Sequence, residues 1–193
     1  MTFSKRLASL TESGRTIFET IGVLAIMGLL TATAYKGLTD GLDAHRLQKT
    51  IDLHQRLTTI MQQTFAHKPV MASFNASQWA DFGLYNRENY DEGAAFGRNE
   101  FRGDFILGVD SSEIGRMITM KYTDFPHKAC LKFITTDWGF NNTSGLKYLE
   151  VNDTKTGWIP DGNGNTLPID VPRATTLCQQ DRVNTIVFYY LFR

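Results

Sequence analysis

Between Thr16 and Tyr35 the chain carries one charge, Glu19, in an otherwise apolar or weakly polar run of about twenty residues. That is roughly the length a helix needs to cross the hydrocarbon of a bilayer. A carboxylate near one end of such a run is costly in lipid and needs a structural or functional reason. Lys5 and Arg6 lie ahead of the run, so the positive-inside rule predicts an inside N-terminus and an outside C-terminus. A cleaved secretory signal would have a shorter apolar core and a small-residue cut site. Ala32-Thr33-Ala34 could supply that site, but this alternative leaves Glu19 unexplained. At 193 residues the chain has room for one compact domain besides the membrane segment, or at most two very small ones. Its formal net charge of zero leaves no basic footprint for nucleic acid.

Ser13-Gly14-Arg15 stands just before the run, and a cut between Gly14 and Arg15 would make Glu19 the fifth residue of the mature chain. In these features Ser13–Tyr35 resembles the class III signal of type IV prepilins. That signal is a short basic leader ending in Gly, followed by an apolar helix with Glu at mature position five. The resemblance implies cleavage after Gly14 and N-methylation of Arg15 by a prepilin peptidase, with the apolar helix retained. One residue departs from the pattern: the first mature residue is often Phe or Met, and here it is Arg15. The physics agrees with the implied role of Glu19. An unpaired carboxylate in an apolar assembly is expensive, so it should meet a cation, the free α-ammonium of Arg15 in the same or a neighbouring subunit. The first turn of a helix also favours an acid through its dipole. The plainer alternative is a juxtamembrane charge that snorkels to the headgroups.

Helical spacing continues past the membrane segment. Leu38, Leu42, Leu53, Leu57, Ile60, Met61 and Phe65 recur at helical intervals with polar residues between them, and Lys68-Pro69 offers a stop. A helix from Thr16 to about Ala66 would be about 75 Å long at 1.5 Å per residue. The expected organisation is a leader over 1–14, a hydrophobic helix over 15–35, its amphipathic continuation over 36–66, and a globular region over 67–193. Gly22, Gly28, Gly37 and Gly41 are weak points, each costing up to about 1 kcal/mol relative to Ala.

In the globular region the spacing predicts a short helix near Ala76–Phe82 and strands at Phe105–Val109, Arg116–Tyr122, Leu131–Thr135, Lys147–Val151 and Thr185–Phe192. The fold class is therefore α+β, a long N-terminal helix packed against an antiparallel sheet. Two stretches extend the family resemblance. Met117–Cys130 is similar to the strand, Pro and Cys run of type IVb pilins, and Ala174–Cys178 followed by Asn184–Tyr190 is similar to their second Cys and closing strand. With the C-terminal region outside the cytoplasm, the two cysteines, Cys130 and Cys178, are expected to pair. The bridge would close a loop of about 49 residues, worth roughly 4 kcal/mol in the chain-entropy treatment.

Other motifs carry less. Asp161-Gly-Asn-Gly-Asn165 opens like a calcium loop, but Thr166 and Pro172 stand where the EF-hand pattern needs Gly and Glu; a Gly-rich hairpin turn explains it better. His45, His54, His67 and His127 show no metal-ligand spacing, and two of the four are expected on the helix surface. Asn75, Asn141, Asn142 and Asn152 head Asn-x-Ser/Thr triplets, which mean little in a bacterium. No phosphate loop, nucleophile elbow or paired-cysteine zinc pattern is present.

The expected protein is thus a structural subunit and not an enzyme, with no cofactor and no metal. The resemblance implies residence in a bacterial inner membrane before assembly and in an extracellular pilus afterwards. It also implies a homo-oligomeric filament joined through N-terminal helices, with a prepilin peptidase, an assembly platform and its ATPase as partners. A minor pilin or secretion pseudopilin, and a membrane-anchored periplasmic binding protein or enzyme, are the alternatives. Adhesion, conjugation, DNA uptake and secretion all use this architecture, and fold alone does not choose among them.

Overall fold

The computed structural model describes residues 13–65, 76–85, 97–110, 117–139, 144–157 and 167–191, with the side chains of the first helix described from Ile17 onward. The chain divides into two compact units, Met1–Asp43 and Ala44–Arg193.

Helix α1 runs over Ser13–Phe65, 53 residues, and crosses that division. It begins three residues before the expected start at Thr16. In the first unit every large apolar side chain from Ile17 to Leu42 is exposed. The helix is long and apolar enough to cross a membrane. Thr31 and Thr33 turn their hydroxyls back onto the Met27, Leu29 and Leu30 carbonyls, which satisfies them without solvent. The four glycines stay helical, and a Cβ at any of them would meet nothing within 4 Å.

In the second unit the same helix becomes one-sided. Leu47, Thr50, His54, Leu57, Met61 and Phe65 are buried, at intervals of three and four that place them on one face. They pack into a core shared with a six-stranded sheet: β1 (Gly97–Arg98), β2 (Asp104–Asp110), β3 (Met117–Phe125), β4 (Leu146–Val151), β5 (Thr154–Gly157) and β6 (Asn184–Tyr190), in the order β1-β2-β3-β6-β4-β5. All five neighbouring pairs are antiparallel, so the expected α+β arrangement of helix on antiparallel sheet is present. The last strand lies in the middle of the sheet. Phe105, Leu107, Met120, Tyr122, Leu149, Val151, Ile186, Phe188 and Tyr190 face the core, as a period of two requires.

Among the described residues, three short helices complete the unit: α2 (Ala76–Asp81), α3 (His127–Thr135) and α4 (Val171–Leu177). One expected strand is corrected here. Leu131–Thr135 is the second half of α3, because Ala129, Cys130, Phe133 and Ile134 are the buried residues and that spacing marks a helix stripe, not alternation. Pro126 supplies its extended N-cap. Helix α4 and strand β5 were not expected. Asp170 caps α4 by accepting from the Arg173 amide at 3.0 Å. Strand β5 follows β4 through Asn152-Asp153, with φ of 47° and 65°. Two left-handed residues between paired strands make the tight turn whose twist suits a hairpin. The Gly-rich run 161–165 expected to form a hairpin, together with Trp158, lies outside the described residues.

Candidate functional site

The residues singled out for processing and assembly all fall on α1. Gly14 and Arg15 belong to its first turn, while the Arg15 side chain lies outside the described residues. Glu19 is an exposed residue of the helix, surrounded in sequence by exposed Ile17, Phe18 and Ile21. From Ile17 to Tyr35 the helix therefore presents a continuous apolar surface bearing one carboxylate. A patch of that extent on a soluble monomer would be anomalous; it calls for lipid or for other protein chains.

The head is closed by the bridge between Cys130 and Cys178, whose Cα atoms are 6.0 Å apart. It joins the first turn of α3 to the residue that ends α4. Immediately after it, Asn184 ties the strand entry together. Its Oδ1 accepts from the Gln179 amide and from Asn152 Nδ2, both at 2.7 Å. Its Nδ2 reaches the Phe125, Gln179 and Arg182 carbonyls. Asn152 in turn donates to Leu177 O and accepts from the Thr185 amide, so this Asn-x-Thr asparagine is committed to the fold.

His54 departs from the expected place on the helix surface and belongs to the core. Of the two histidines on α1, His45 is exposed as expected, whereas His54 is fully buried. Its Nδ1 lies 2.9 Å from the Tyr122 hydroxyl on β3 and its Nε2 lies 2.7 Å from the Tyr190 hydroxyl on β6. A neutral imidazole has one donor and one acceptor nitrogen. The assignment that uses every hydrogen has Nδ1–H donating to Tyr122, whose own hydroxyl then faces the Met120 sulfur at 4.0 Å, and Tyr190 donating to Nε2. Trp138 and Phe188 enclose the ring with centroids at 4.4 and 4.3 Å, and Phe133 meets it edge-on. Burial pushes the imidazole pKa down to about 3, and burial raises both tyrosine hydroxyls above their ordinary value. The signal was in the sequence: Leu47, Thr50, His54, Leu57 and Met61 share one helical phase.

The opposite face of the sheet holds a second ordered group. Tyr148 on β4 and Tyr189 on β6 are register partners, with rings 6.3 Å apart at 85°. The Tyr189 hydroxyl donates to Glu150 at 2.7 Å. The Lys155 ammonium lies 4.5 Å from the Tyr148 centroid and 4.4 Å from that of Tyr189. Among the described residues no group of three His, Cys, Asp or Glu side chains could hold a metal ion.

Comparison with known proteins finds no family model that matches this chain and no curated relative that matches it.

Proposed function

We propose that the chain is the structural subunit of a type IV filament, most similar to type IVb pilins. It is held in the inner membrane by α1 with its head outside, cut after Gly14, and polymerised through its N-terminal helices. The observation that carries this reading is α1 itself. One helix joins a stretch whose large side chains are all exposed from Ile17 to Leu42 to a stretch that builds the core of a disulfide-closed head. Lipid would cover the first stretch before assembly, and neighbouring helices would cover it afterwards. Both remove the same apolar surface from water.

Within such a polymer Glu19 would be the one charge on the packed surface between Ile17 and Tyr35. Matched to the Arg15 amine of a neighbour it costs little; slipped out of register it is stranded, and stranding a buried charge costs about 3–5 kcal/mol. The carboxylate thus selects the axial register of subunits. The sequence holds no phosphate-loop motif, and the family resemblance implies a separate assembly ATPase that would supply the work of extraction.

The test is the composition of filaments sheared from cells that express the chain. The account expects this polypeptide as their bulk component. Its presence only at trace level would assign it to a minor or priming subunit, and its absence from any filament would reject the reading.

A further inference from the structure

We propose that the corner between Tyr148 and Tyr189 on the outer sheet face is a seat for a quaternary ammonium ligand, occupied in this structure by the chain's own Lys155. Cations bind over aromatic faces because the ring quadrupole presents negative charge, and methylated ammonium groups are well suited because they lose little hydration. Here two rings meet at 85°, and one ammonium lies 4.5 and 4.4 Å from their centroids. Both walls are fixed before a ligand arrives. Tyr189 is held by its 2.7 Å bond to Glu150. Tyr148 lies over Gly157, its register partner on β5, where a Cβ would run into the ring.

The electrostatics favour a cation. The Tyr189 hydroxyl is made harder to ionise by burial, then by the Glu150 hydrogen bond and charge, then by the Asp110 charge. Two carboxylates therefore act on the corner. Lys155 is an exposed residue of β5 at the sheet edge. Its primary ammonium is strongly hydrated, so it is a weak occupant that an incoming methylated amine displaces. Lys155 then sets the affinity of the seat without being part of its walls.

The seat is independent of the filament reading. The probes are choline chloride and glycerophosphocholine, titrated into the full chain in maltoside micelles and followed by tyrosine chemical shifts. Saturable shifts at Tyr148 and Tyr189 are expected in the wild type. Binding should tighten in Lys155→Ala by about two- to five-fold for each of the two exposed cation–π contacts that Lys155 makes. Binding should be lost in Tyr189→Leu and, as a second wall variant, in Tyr148→Leu, with the fold checked by circular dichroism and an intact disulfide. Tighter binding of glycerophosphocholine would identify a lipid headgroup as the source of the ammonium, and equal binding a free amine. Absence of saturable binding in Lys155→Ala, or equal binding in a folded wall variant, overturns the proposal whether or not the chain forms filaments.

Discussion

Acid should loosen the head through His54, and the size of the effect follows from the structure. The imidazole pKa is about 3 in the folded state against an ordinary 6.5. Because the folded value is depressed, the unfolded chain binds one more proton than the folded chain throughout that interval. Stability is therefore fully present above about pH 6.5 and falls as the pH falls. Each pKa unit corresponds to about 1.4 kcal/mol, so the loss approaches 2 kcal/mol at pH 5 and about 4 kcal/mol at pH 3, where the folded imidazole is itself half protonated. Among the described residues, the groups that touch the ring, Tyr122, Tyr190, Phe133, Trp138 and Phe188, include no carboxylate that would compensate an imidazolium. Protonation would also take away the nitrogen that accepts from a tyrosine hydroxyl. The assay is urea unfolding of the full chain in micelles at pH 7 and pH 5, beside His54→Gln, which can still donate and accept but does not titrate. The wild type should lose about 2 kcal/mol relative to its pH 7 value, beyond any loss in His54→Gln. Parallel pH profiles for the two proteins, or a His54 resonance titrating near pH 6.5, would refute the reasoning.

Three further outcomes follow from the same structure. Replacing Cys130 and Cys178 by serine should lower head stability by about 4 kcal/mol, from the loop closed across a sequence separation of 48; an unchanged unfolding midpoint would discount the bridge as a constraint. Asn184→Ala should cost about 3 kcal/mol or more by stranding the Phe125 carbonyl and the Gln179 amide, readable as a shift of the urea midpoint. Glu19→Ala should leave processing and head folding intact while sharply reducing filament yield, and normal filament assembly in that variant would reject the register-setting role.

The legible and illegible parts of this chain differ in where their information lies. Helix α1 was readable because an apolar run of membrane-spanning length passes into Leu38–Phe65, whose apolar residues share one helical period, and β2, β3, β4 and β6 because their core-facing residues alternate. Helix α3 was misread since Leu131–Thr135 mixes apolar, polar and aromatic residues in too short a window. Its helical stripe emerges only when Ala129 and Cys130 are included. Strand β5, Thr154-Lys-Thr-Gly157, has no apolar alternation at all; it exists because the Asn152-Asp153 turn returns the chain onto β4. The same limit applies to the polar groups. His54 could have been placed by helical phase, whereas its partners Tyr122 and Tyr190 lie 68 and 136 residues away and meet it only through sheet topology. Tyr148, Tyr189 and Lys155 likewise converge only through strand order.

The central claim is that α1 is the retained helix of a processed pilin, and intact-mass analysis of the mature chain tests it most directly. The account predicts a polypeptide that begins at Arg15 and carries one added methyl on its amino terminus. A chain that still contains Met1 through Gly14, or one cut after Ala34 with the helix removed, would contradict it.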